Sequence, residues 1–172
     1  HRKTLASGSD VHYQWEFAGS PRNWIQLDPA TVDGDPQSLV PAVRGRRLFV
    51  SCGPFVRFEA SDGTGLGGLT TVHVADGVTF HATVEAPSWM QVHTVRLLEN
   101  GVVVDSHDVS GATGTVRFDA ALHATPAADA WYALEVLGEG SMAPVTSAGP
   151  PYAMTNPIEV DVDGDGMWTP PM

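Results

Sequence analysis

The sequence predicts an all-β fold: an antiparallel, immunoglobulin-like β-sandwich preceded by an irregular N-terminal segment with a short helix. Three observations point there. Glycine (18) and proline (13) are abundant for 172 residues, which favours turns and short strands over long helices. Val78, Phe80, Ala82, Val84 and Ala86 alternate with Thr79, His81, Thr83 and Glu85, the period of a sheet with one buried face. Strand-like runs recur with turn signals about every 8–15 residues and no helical pattern between them, the spacing of a sandwich. The single Cys52 supplies no disulfide pair, so the immunoglobulin-like connectivity rests on strand spacing alone.

The elements follow in order. Residues 1–43 lack sustained periodicity and carry Trp15, Phe17, Trp24 and Ile25 among turn residues such as Gly19-Ser20-Pro21. Aromatics are costly to expose, so this stretch is expected to pack on the rest of the chain or on a larger body. Asp33-Gly34-Asp35-Pro36 reads as a turn, and Ser38 as the cap of a short helix with Pro41 in its first turn, ending at Gly45. Strands are expected at 47–51, stopped by Gly53-Pro54, and at 55–59, followed by a glycine-rich loop over 62–68. After the alternating strand at 78–86 comes 92–98, joined through Asn100-Gly101, a strong hairpin signal, to 102–105. Strands at 115–119 and 131–137 complete the series.

Composition narrows the function classes. With 42% hydrophobic and 17% charged residues, the chain can bury a core and is not built like a disordered one. It holds no apolar run of the ~18 residues that a membrane helix needs, and no basic-plus-apolar signal segment. A net charge of −11 repels a phosphate backbone, so nucleic-acid binding is disfavoured. Residues 1–57 carry seven of the nine basic side chains and five of the twenty acidic ones, a contrast that implies two regions with different surroundings.

Three motifs invite chemistry. In Ser9-Asp10-Val11-His12, an Asp and a His two apart on a strand would share a face and could reach one metal ion. Asp161-Val162-Asp163-Gly164-Asp165-Gly166 matches the first half of a calcium loop, with acidic groups at alternate positions and a glycine for the sharp turn. Met172 stands where the bidentate Glu belongs, and Trp168-Thr169-Pro170-Pro171 cannot form the exiting helix. An EF-hand is excluded, while a looser calcium site on Asp161, Asp163 and Asp165 stays open beside a plain acidic turn. The run Thr64-Gly65-Leu66-Gly67-Gly68 lacks the Lys and Ser/Thr of a phosphate loop and reads as a connection between strands. No G-x-S-x-G elbow supports a serine triad.

Taken together, Ser9-Asp10-Val11-His12, Gly19-Ser20-Pro21-Arg22-Asn23, residues 44–56 (RGRRLFVSCGPFV), Ala86-Pro87-Ser88-Trp89, Asn100-Gly101 and residues 155–166 (TNPIEVDVDGDG) resemble a known family. They are similar, in order and over nearly the whole chain, to the C-terminal portion of PHP-family (polymerase and histidinol phosphatase) metal-dependent hydrolases of the carbaryl-hydrolase-like branch. The resemblance implies an upstream catalytic module, a distorted barrel holding Zn, Mn or Fe ions, that hydrolyses a phosphoester, an amide or a carbamate. It implies that Asp10 and His12 match that module's last ligand pair, and that the remaining ligands lie upstream of this sequence. On that reading residues 1–45 are the tail of the module and 46–172 an appended sandwich. Arg22 would sit at the substrate edge, and the chain by itself would be inactive. The alternative is a stand-alone sandwich that binds carbohydrate or protein and holds a structural calcium ion.

Overall fold

The computed structural model describes residues 2–13, 19–28, 35–146 and 149–170; Trp15, Phe17 and the first half of the 33–36 turn lie outside them. The chain forms β1 (Arg22–Ile25), a 3-10 turn (Pro36–Ser38), α1 (Leu39–Arg44), β2 (Leu48–Ser51), β3 (Phe55–Ala60), β4 (Leu69–Thr71), β5 (Val78–Glu85), β6 (Gln91–Glu99), β7 (Val102–Asp108), β8 (Val116–Ala124), β9 (Ala130–Glu139), β10 (Tyr152–Thr155) and β11 (Ile158–Asp161). The fold is all-β, as the alternation and turn spacing require. No helix among the described residues is long and apolar enough to cross a membrane.

The strands form two sheets. One is β3-β5-β8, antiparallel throughout. In the other, β9 pairs with β6 along one edge, and β6 carries β7. Along its other edge β9 pairs with β10 and then with β11, two pieces of one path interrupted at Asn156-Pro157. From β10 the sheet continues through β2 to β1, and β11 takes β4 in parallel. From β5 onward the chain changes sheet between β5 and β6, β7 and β8, and β8 and β9. That is the immunoglobulin-like key, with β3, β5 and β8 as strands A, B and E and β6, β7, β9 and β10–β11 as C, C′, F and G.

The core lies between the sheets. Phe58 stacks on Phe80 at 5.0 Å, and Phe80 meets Tyr132 of the opposite sheet at 5.0 Å. Val84, Leu122, Val95, Leu97, Leu134, Val136, Ile158 and Val160 close the layer. These large side chains join the sheets without a cysteine bridge, and Cys52 is a free thiol.

Leu48, Val50, Leu98 and Ala133 point, by strand alternation, to the other face of the larger sheet. They too are buried, as is Ala42 of α1. Residues on both sides of position 45 therefore share one sheet, since β1 reaches β10 through β2. The helix cap differs from expectation. Asp35, not Ser38, accepts the Gln37 N–H at 2.9 Å, and the Ser38 hydroxyl donates to the Asp35 carbonyl at 2.6 Å. Asp35 wins because its backbone is extended, as a capping residue's must be, whereas Ser38 is already helical. The helix stops at Gly45, as expected.

Candidate functional site

Asp10 and His12 lie on an N-terminal arm that is not a strand. Residues 2–12 have no regular structure, and side chains hold the arm to the sheet. Arg2 pairs with Glu159 at 2.9 Å. The fully buried Asn156 accepts the Leu5 N–H and donates to the Leu5 carbonyl, both at 2.8 Å. Asn23 does the same for Ser7, at 2.9 and 2.7 Å. Each amide thus imitates one rung of a ladder that the arm's own backbone does not make. Arg46, also buried, pairs with Glu159 at 3.0 Å, so a carboxylate taken out of water is met by two guanidinium groups.

Beyond Ser7 the D-x-H pair converges by a turn rather than by strand alternation. Asp10 adopts a left-handed backbone, φ +50°, and His12 Nδ1 lies 2.7 Å from the Asp10 carbonyl oxygen. A carbonyl only accepts, so Nδ1 carries the proton and the lone pair of the neutral ring sits on Nε2. Nε2 is 3.7 Å from Asp10 Oδ1, with the side chains 66% and 91% exposed. One nitrogen and one carboxylate oxygen at that separation can sit on one ion, and the Nδ1–H to carbonyl bond is the kind that orients a metal-binding imidazole. The pair fits a divalent metal as a two-donor fork. Arg22, the expected substrate-edge residue, is exposed, and its Nε donates to the Gly19 carbonyl at 2.8 Å.

The acidic loop closes the opposite strand ends. Among the described residues, the one group of three or more potential metal ligands is Asp129, Asp161 and Asp163, with ligand atoms within 4.8 Å of one another. The predicted set was Asp161, Asp163 and Asp165. The structure keeps the first two, adds Asp129 and leaves Asp165 out, its Oδ1 accepting the Met167 N–H at 2.7 Å. Asp129 arrives from the β8–β9 connection and holds the loop, accepting the N–H groups of Val162 at 2.8 Å and Thr169 at 2.7 Å. No motif surrounds it, so the sequence carried no signal for it.

Asp161 accepts from Gly164 N at 2.7 Å, Gly166 N at 3.0 Å and Thr71 Oγ1 at 3.0 Å. Burial acts to raise its pKa, but these donors outweigh it and hold the carboxyl below its ordinary value. Asp163 goes the other way. The Asp165 N–H favours its ionised form, yet burial and the charges of Asp165 and Asp129 together push its pKa up. Of Asp161 and Asp163, the latter is the one whose charge the protein compensates less.

Trp89 is 49% exposed at a loop tip. Trp131 joins Leu5, Met154 and Trp168 around a cavity of about 240 Å³ between arm and sheet. No protein-family model matches this chain, and no curated protein or solved structure gives a significant match.

Proposed function

We propose that this chain is the C-terminal portion of a PHP-type metal-dependent hydrolase acting on a phosphoester, amide or carbamate. Residues 1–45 would complete an upstream catalytic module, and residues 46–172 would form the accessory sandwich that carries it. The observation behind the reading is the fork at the end of the docked arm. Asp10 and His12 are brought within 3.7 Å of each other and face solvent, with the imidazole proton held on the nitrogen away from the carboxylate. A Zn, Mn or Fe ion bound there would supply Lewis acidity. Two donors are fewer than a catalytic site uses, so the other ligands fall to the upstream module and the chain alone is inactive. Arg22 would meet the substrate's anionic edge.

The test is metal content and hydrolysis by the intact parent protein. Asp10→Ala and His12→Ala should each lower both, while the 172-residue chain shows neither. Full metal loading and activity in the double variant would remove the assignment.

A second reading, a free-standing sandwich binding module with a structural calcium ion, is favoured by the convergence of Asp129, Asp161 and Asp163. It predicts a calcium-dependent rise in melting temperature, which the first reading does not require.

A further inference from the structure

The sandwich end away from the acidic loop contains a buried cation that no anion pairs with among the described residues. Arg117, at the start of β8, is 7% exposed. One terminal nitrogen donates to the Ala112 carbonyl, and the other to Pro87 O at 2.7 Å and Met90 O at 3.2 Å. Those bonds use three of a guanidinium's five N–H donors. Nε has no partner among the described residues, and none of the ion pairs among them includes Arg117. Carbonyl dipoles offset part of the cost of burying a permanent charge, but none supplies the opposite charge that a buried ion calls for.

Arg117 also lines a cavity of about 260 Å³ together with His93, Ser88, Ser110, Thr113 and Gln91. Its wall mixes hydrogen-bonding side chains with Met90, Val92 and Ala112, drawn from the β5–β6 and β7–β8 connections, the start of β6 and the end of β9. Connections gathered at one end of an immunoglobulin-like sandwich are where variable domains recognise ligands. A neighbouring cavity shares Met90, Gln91 and Glu139 with the first and is bordered by Trp89. A charged recess thus adjoins an exposed indole face. Glu139 on the rim and the net charge of −11 penalise a multiply charged anion more than a singly charged one.

We propose that this loop end binds a ligand carrying a carboxylate, which pairs with Arg117 while the ligand's apolar body lies against Trp89. The site is independent of the reading of Asp10 and His12, and it requires neither a metal nor the upstream module.

The experiment follows the Arg117 Nε–H resonance and the melting temperature of the 172-residue chain at matched ionic strength. The probes are sodium acetate, benzoate, phosphate and chloride. Acetate and benzoate should move the resonance saturably, benzoate at about tenfold lower concentration because its ring adds apolar contact. Phosphate should bind more weakly, and chloride should give only a drift. Arg117→Lys removes the guanidinium and should abolish saturation. If that variant does not fold because the Pro87 and Ala112 loops come loose, Thr113→Val at the cavity wall should weaken carboxylate binding several-fold. Trp89→Ala should weaken benzoate and leave acetate unchanged. Identical behaviour of all four anions, or saturation by phosphate and not by carboxylates, overturns the proposal.

Discussion

At the scale of single residues, two buried polar side chains decide where the arm goes. Asn156 is fully buried; besides its two bonds to Leu5, its Nδ2 donates to the Leu48 carbonyl at 2.9 Å. It joins the break between β10 and β11, the start of β2 and the arm at one point. Asn156→Ala would strip the Leu5 backbone groups of these partners and leave the Leu48 carbonyl with only the backbone N–H of residue 156. A cost of about 2–3 kcal/mol is expected, the range for a buried amide whose partners are stranded. Chemical denaturation should show the loss. Proteolysis should then cut the arm near Leu5 faster while β9 stays protected, because Tyr132 and Leu134 are held in the core between the sheets. Equal cutting at both places would mean that Asn156 holds the whole fold rather than the arm.

At the scale of elements, β5 and β9 were legible from their long alternating or β-branched runs, and the four-residue β2 was legible because Gly53-Pro54 stops its β-branched and aromatic run. β1, β4, β10 and β11 were not legible. They are three or four residues long, and β11 is buried along its whole length, so no period-two pattern marks it. Pro157 also breaks the run that joins β10 to β11, which makes one path read as a loop. The D-x-H pair was found in the sequence, but its geometry was not, because a left-handed Asp10 leaves no mark on residue type. The glycine run was read as a loose connection, whereas the structure makes it a close contact. Gly67, at φ +77°, packs where a Cβ would collide with the Gly45 carbonyl. Its N–H donates to the Pro157 carbonyl at 2.8 Å, just ahead of β4. Gly67→Ala combines that collision with an unfavourable backbone and should cost more than about 1 kcal/mol. The loss should appear in the denaturation midpoint and as faster amide exchange at Thr70 and Thr71. An unchanged midpoint would mean that β4 is not anchored through this contact.

At the scale of the whole molecule, charge decides what the acidic loop is for. A chain of net charge −11 gains stability from any salt that screens its self-repulsion, so calcium must be compared with sodium at equal ionic strength. Within the loop the two shifted carboxyls have opposite linkage. Asp161 has a folded-state pKa below its ordinary value, so its contribution is present above the unfolded pKa and is lost as pH falls through the folded one. Asp163 has a raised folded-state pKa, so its contribution is present below the unfolded pKa and lost as pH rises through the folded one. At neutral pH Asp163 is therefore a burden on the metal-free protein. Asp163→Asn should raise the melting temperature in chelator at pH 7 and lose that advantage near pH 3, whereas Asp161→Asn should lower it at pH 7. Calcium reverses the ranking if the cluster is a cation site, because the ion binds the folded state through the charge that otherwise repels. The unsubstituted chain should then gain stability with calcium beyond the sodium control, and Asp163→Asn should not. Asp165→Asn should keep the response, since that carboxylate lies outside the group. An unsubstituted chain that melts alike in both salts would leave the three carboxylates as a hydrogen-bonded end to β11 and nothing more.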